Sequence, residues 1–306
     1  MDLHGFTDIR QFRVRVAQRL SANQSWNQAI EVCHADDVPD PTSRWRDIDG
    51  LTDIFPSQIA PMDPQKANYD ALRSPPSRDH IMGTDYVGRD IASRVIYGVR
   101  TTLLIAFSAV ILSKTIGFAW GLASGYFGGW FDLVTERIVE VMLSIPGLIL
   151  ALLLLAGLGS GKITVIIAIA VGGIAGTVRI IRSSVLSIKN MPYVEAAKAM
   201  GVHPIIIISR HIAPQCIAPL LVVASASLGG AIFTEATLSF LGLGITPNEP
   251  TWGSMMAVVA ENYLRPLWWI AVFPGIALTV TIMAFNLIGD ELRDRLDPKL
   301  KGEIKD

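Results

Sequence analysis

The most specific spacing in this chain of 306 residues is Tyr193-Val194-Glu195-Ala196-Ala197-Lys198-Ala199-Met200-Gly201, with Pro214 thirteen positions beyond the glycine. Read as a short helix, it has Pro192 in its first turn, where a missing amide proton costs little, and Glu195 near the positive end of the helix dipole. Gly201 suits the left-handed residue that closes such a helix. His203 and Pro204 start a second segment, Ile205 to His211, which Ala213-Pro214 is expected to halt. The chemistry offered is recognition rather than bond-making. Glu195 supplies a carboxylate, Ala196 and Ala197 are small enough to let another surface come close, and Gly201 supplies a turn. A loop this long between closely joined helices points to a partner.

Other chemistry-bearing residues are scattered. Lys114 falls near the middle of an apolar stretch, where insertion of a charge costs about 2.5 to 3.5 kcal/mol. It is expected to face a helix bundle or a water-filled path, the alternative being an amine that snorkels to an interface. Glu235, near the end of another apolar stretch, has two readings: lining a translocation path, or hydrogen bonding at a helix end. Ala156-Gly157-Leu158-Gly159-Ser160-Gly161-Lys162 imitates a phosphate-binding loop, but Ile163 stands where Ser or Thr must reach magnesium, and an apolar helix precedes it instead of a strand. His203 and His211 have no cysteine or carboxylate pair nearby, and Cys33 and Cys216 lie far apart, so neither a metal, a disulfide framework nor a cofactor is expected. Gly-x-Ser-x-Gly, His-Glu-x-x-His and paired intramembrane carboxylates are all missing from the sequence, which removes the usual bases for membrane hydrolysis. An enzyme is not expected.

The elements that must position these residues are membrane spans. Hydrophobic residues make up 51% of the chain and charged ones 17%, against about 25% charged in an ordinary soluble domain. Residues 1–100 hold 26 of the 53 Asp, Glu, Lys and Arg residues and 291–306 another 10, leaving 17 for the 190 between. A net charge of −1 offers no basic face for a nucleic acid; the expected surroundings are lipid. About 20 apolar residues span the roughly 30 Å hydrocarbon core, and five stretches qualify, near 102–124, 138–157, 163–182, 216–240 and 267–289. Pro146 should kink the second. In the third, Ala168, Gly172 and Gly176 form a stripe of small residues that would let another helix approach closely. Pro250 to Gly253 and Trp268-Trp269 read as an external turn and an interfacial aromatic belt.

Basic residues set the direction. Between residues 179 and 214, Arg179, Arg182, Lys189, Lys198 and Arg210 stand against the single acid Glu195, so the loop 183–215 is placed in the cytoplasm, as is the basic tail 291–306. The connection near 243–265, with Glu249 and Glu261 against Arg265, then lies outside, and so does everything before residue 102. The first hundred residues contain no apolar run long enough to carry them across, and Arg89, Arg94 and Arg100 argue weakly for the other side.

At Glu195, Ala196, Ala197, Gly201 and Pro214 the chain resembles the integral membrane permease subunits of ABC importers, whose signature is Glu-Ala-Ala, three residues, Gly, and a Pro thirteen positions later. His211 replaces the family's Ile and Ala213 its Leu, a form similar to the dipeptide, oligopeptide and nickel branch. Met82–Leu103, Ser124–Asp132, Thr234–Met256, Phe285–Lys301 and Pro56–Pro64 look like segments of its C-type subunit. The resemblance implies an all-α, polytopic fold of the bacterial cytoplasmic membrane: about five transmembrane helices, the family's six-span core without a recognisable first span, and a coupling helix in the cytoplasm between the third and fourth. It divides the chain into an atypical polar segment 1–53, an extracytoplasmic segment 54–101, the permease domain 102–290 and the tail. Residues 1–53 stand where the missing span belongs, and two readings follow: a genuinely shortened protein, or a start whose frame or gene model departs from a six-span parent. The resemblance further implies that ATP-hydrolysing subunits, usually two, grip the loop, that a B-type sister permease completes the pathway, and that an external solute-binding protein delivers small peptides. Nickel or another small solute is the alternative cargo, with a membrane-embedded enzyme or a passive channel behind it.

Overall fold

A computed structural model describes residues 60–245, 249–261 and 267–296. The polar segment 1–53, Cys33, Arg265 and the tail beyond Leu296 lie outside the described residues. After a single 3-10 turn, Tyr69–Ala71, come α1 (Ile91–Phe127), α2 (Gly129–Ser144), α3 (Gly147–Leu158), α4 (Lys162–Ile188), α5 (Pro192–Ala199), α6 (Pro204–Ile207), α7 (Ala213–Phe240), α8 (Trp252–Glu261) and α9 (Trp268–Leu296). The one β pairing among the described residues is the isolated bridge Thr84–Asp90. Four helices are long and apolar enough to cross a membrane, and α2 with α3 makes a fifth if the bent pair counts as one span.

Contact between α1 and α4 organises the bundle. A Cβ added at Gly117 would lie 2.6 Å from Thr177 Cβ, at Gly121 2.9 Å from Ile181 Cβ, and at Gly125 2.7 Å from Val185 Cβ. Three glycines at four-residue spacing thus put two backbones together, where packing and not water exclusion drives helix association in lipid. Both residue numbers rise together, so α1 and α4 run parallel. The bent pair α2–α3 returns the chain between them. The expected stripe of Ala168, Gly172 and Gly176 does not do this job: Cβ atoms at Gly172 and Gly176 would meet nothing within 4 Å. α7 and α9 run antiparallel, with Gly229 against Asn286 and Gly289 against Ser225.

Three expected span boundaries change. α1 begins at Ile91, about three turns before the expected 102, because Asp90 caps it: its carboxylate accepts from the Ser93 amide at 2.9 Å and the Ser93 hydroxyl at 2.7 Å. Arg94, which looked like a water-side residue, is buried and donates to Pro64 O at 3.2 Å. The second span is broken rather than kinked. Ile145 and Pro146 are extended and the axes of α2 and α3 differ by 91°, since proline removes a helical donor and forces its predecessor out of the α region. The fourth span is longer than expected: α6 does not halt before Pro214 but continues through a π turn, Ile208–Ile212, into α7. The Ala213 amide donates to Ile208 O, and this widened turn takes Pro214 into the first positions of α7, where its missing donor is harmless.

The segment before α1 is tied down by hydrogen bonds. His80 Nδ1 lies 3.1 Å from Asp90 Oδ1, the Arg89 guanidinium donates to Asp85 at 2.7 Å, and the Trp269 indole donates to Thr84 O at 3.0 Å. Trp252, expected in an external turn, opens α8 and is fully buried, its indole donating to Val95 O at 3.1 Å. Of the expected aromatic belt, Trp268 is exposed and Trp269 is buried.

The α1–α4 contact leads to a direct comparison. Gly121→Leu is expected to destabilise the protein by roughly 1–3 kcal/mol through overpacking, whereas Gly172→Ala, with open space around it, stays near wild type; thermal unfolding of the purified protein in detergent separates the two.

Candidate functional site: a fixed helical loop and an intramembrane cavity

Helix α5 follows from its sequence: Pro192 sits at the first helical position after Met191, and Glu195 lies in the first turn. Its end is a Schellman turn. The Gly201 amide donates to Lys198 O at 3.0 Å and the Val202 amide to Ala197 O at 3.1 Å, with Gly201 at φ +75°. His203 then caps α6, its Nδ1 accepting from the Ile205 amide at 3.4 Å.

One side of α5 is anchored. Val194 and Ala197 are buried with Ile181, Val185 and Ile188 of α4 and with Ile207, Ile212 and Cys216 beyond. Gln215 donates to Tyr193 Oη at 2.6 Å. Ala197 therefore packs into the chain's own core and presents no surface to a partner, unlike Ala196. Glu195, Ala196 and Pro214 are exposed. Around them lies a rim that the motif did not indicate: Met191, Tyr193, Met200, Ile205 and Ile206 are all exposed, Met200 at 76%. Apolar side chains at i, i+1 and beyond across two short helices follow no single period, so pattern reading passes over them.

The same end carries a polar clamp. Arg182 donates to both Asp132 oxygens, at 2.5 and 2.7 Å, and lies 3.3 Å from Glu136. Asp132 also accepts from Ser124 at 2.6 Å, and Lys189 Nζ donates to Gly125 O at 2.9 Å. Bidentate pairing of this kind fixes orientation as well as distance, so α1, α2 and α4 are held together directly beneath α5.

Deeper in the bundle, Lys114 is buried, and its Nζ donates to Thr177 Oγ1 at 3.0 Å. It lines a cavity of about 300 Å³ with Ser113, Gly172, Ser227 and Thr234 among the other walls. Of the small residues on α4, Gly172 thus borders open space, whereas Ala168 is also buried in a cluster with Ala151 and Leu155 of α3. Glu235 is not among the lining residues; it is fully buried, accepts from Ser239 Oγ at 2.8 Å, and faces the Thr102 and Thr251 hydroxyls. The structure therefore separates Lys114 and Glu235, which the sequence had grouped as pathway candidates. Glycines 159 and 161 form the turn between α3 and α4, and Lys162 is spent on Glu249 at 2.9 Å, which leaves the imitation phosphate loop an ion-paired connection between helices.

Helices long and apolar enough to span a membrane, a cavity between them and an exposed short helix anchored to two of them are the build of a membrane transport component. Residues 117–302 match the family described as binding-protein-dependent transport system inner membrane component. The chain belongs to that family. It is 40% identical over 235 residues to the glutathione transport system permease protein GsiD of Pectobacterium atrosepticum, covering 76% of this chain and 77% of that one. It is 39% identical over 254 residues to the di/tripeptide transport system permease protein DppC of Pseudomonas aeruginosa, covering 81% and 84%. A putative peptide transport system permease protein of Brucella suis is 42% identical over 229 residues, covering 75% and 77%. Among solved structures, the inward-facing MetNI methionine ABC transporter superposes with a TM-score of 0.54 at 19% identity, covering 67% of this chain and 96% of that one, which is a likeness of fold. As a permease of this family, the chain sits in the bacterial inner membrane and works with ATP-hydrolysing subunits and a solute-binding protein.

Gly201→Val puts a β-branched side chain at a left-handed position and is expected to cost about 1–2 kcal/mol locally. Limited proteolysis between Met200 and Pro204 should then speed up severalfold, with Gly201→Asn close to wild type.

Proposed function

We propose that this chain is the C-type permease subunit of an ABC importer for small peptides, pairing with a B-type sister subunit and coupled to ATP hydrolysis through Glu195, Ala196 and Gly201. The observation that carries the reading is α5 itself: an exposed face bearing Glu195 and Ala196, backed by Val194 and Ala197 locked onto α4 and the start of α7. A partner that grips the exposed face cannot move α5 without moving both spans. The exposed rim of Met191, Met200 and Ile205 supplies apolar area of the kind an interface buries. The π turn at Ile208–Ile212 lets α6 run past Pro214 into α7 without a break, so a pull on the loop is passed along one continuous helix.

Peptide cargo is supported by the relatives named for glutathione, di/tripeptide and peptide transport. The α5 end is placed in the cytoplasm on the balance of Arg179, Arg182, Lys189, Lys198 and Arg210 against Glu195. ATP-driven closure of the ATPase subunits would then switch the spans between outward and inward openings, a two-state change biased by the nucleotide. Lys114 belongs to the pathway in this reading. Glu235 serves packing where α1, α7 and α8 meet, its Oε1 accepting from Ser239 one turn along α7.

Glu195→Arg reverses the charge on the exposed face while leaving Val194 and Ala197 in place. In proteoliposomes carrying the whole complex, peptide uptake is expected to fall at least tenfold with normal membrane insertion. Wild-type uptake by a complex carrying Gly201→Pro would contradict the coupling assignment.

A further inference from the structure

We propose that the cavity around Lys114 is a subsite of the translocation path that holds the carboxylate of the passing solute, with solute N–H groups received by hydroxyl oxygens on the other walls. This rests on the reading of the chain as a peptide importer and assigns chemistry within it.

The lysine is the starting point. It is 6% exposed, and an ammonium carries three protons and no acceptor. One proton goes to Thr177 Oγ1 at 3.0 Å, and Thr177 in turn donates to Gly173 O at 2.9 Å. No carboxylate among the described residues pairs with Lys114, so a full positive charge with two unspent donors borders an open volume. Intramembrane charges are rare unless paired or functional.

The other polar walls have the complementary character. Ser113 donates to Val110 O at 3.0 Å, Ser227 to Val223 O at 2.6 Å and Thr234 to Gly230 O at 2.8 Å. Each hydroxyl has spent its one proton on a helix carbonyl and keeps only lone pairs. The cavity thus presents one cation and several acceptors, which fits a small molecule bearing an anionic group together with N–H donors, as a short peptide does. Space is available: the volume is about 300 Å³, at the lower end of small-molecule sites, and a Cβ at Gly147, Gly172 or Gly230 would meet nothing within 4 Å.

The test uses the complete complex in proteoliposomes, with its binding protein and with radiolabelled alanyl-alanine as the probe. Uptake and binding-protein-stimulated ATP hydrolysis are read in parallel for wild type, Lys114→Met, Lys114→Arg and Gly172→Leu. Lys114→Met is expected to lower uptake at least tenfold while stimulated ATP hydrolysis stays within twofold of wild type, and Lys114→Arg to keep a third or more of wild-type uptake. Gly172→Leu, which fills the cavity and leaves the charge alone, is expected to lower uptake to the same extent. Unchanged uptake in Lys114→Met or Gly172→Leu would overturn the subsite. So would a parallel loss of uptake and ATP hydrolysis in Lys114→Met, which is what a lysine paired with the sister subunit would give. Failure of the wild-type complex to import the probe would instead strike the peptide reading itself, and the subsite with it.

Discussion

The closeness of α1 and α4 is the constraint on which the rest of the structure depends. With hydrogen atoms for side chains at Gly117, Gly121 and Gly125, the two helices run parallel at near backbone contact for about two turns. One turn nearer the start of α1, Ser113 and Lys114 face Gly173 and Thr177. At the other end, Lys189 reaches Gly125 O and Arg182 holds Asp132. Wider spacing would part Lys114 from Thr177 and Lys189 from Gly125 O at once. In lipid there is no gain from excluding water between apolar helices, so contacts made possible by small residues and satisfied polar groups must supply the specificity.

That pairing also explains how a small loop helix can act on long spans. α5 has only eight residues, too short to be stable alone. It is held by Val194 and Ala197 against α4 and by the helical run through the π turn into α7. The rigid part of the molecule therefore lies at the α5 end, where the Arg182–Asp132 pair and the Schellman turn sit. The open part lies at mid-depth, where Gly147, Gly172 and Gly230 leave volume unfilled. Rigid where force is proposed to enter and open where solute is proposed to pass, the chain divides its glycines between two opposite uses.

Those two uses account for what was legible in the sequence. Four-residue spacing marks a face of small residues, and it singled out Ala168, Gly172 and Gly176 while Gly117, Gly121 and Gly125, which share it, were passed over. Periodicity says that residues share a face; it does not say whether a helix or a cavity meets that face. The α5 helix and the left-handed Gly201 were readable because proline, glycine and a first-turn carboxylate are local signals. The start of α1 was not, because Arg94 and Arg100 resemble flanking charges until Pro64 and the Asp90 cap are seen to draw Arg94 inward. The run through Pro214 was likewise hidden, since a proline normally stops a helix and only the widened turn before it lets this one continue. Lys114 was marked as inward-facing by its cost in lipid, but the hydroxyls around it come from other turns and other helices, which no spacing rule connects.

The central claim is that the exposed face of α5 is where the ATPase subunit takes hold. Single cysteines at Ala196 and Ala197, introduced into the intact complex and oxidised against cysteines on the ATPase subunit, test it most directly, since the two neighbours differ in exposure alone. The account predicts that position 196 cross-links to the ATPase subunit with a yield that changes on adding ATP, and that position 197, buried against Ile207 and Cys216, does not. A complex that imports and hydrolyses ATP while position 196 never cross-links would contradict it.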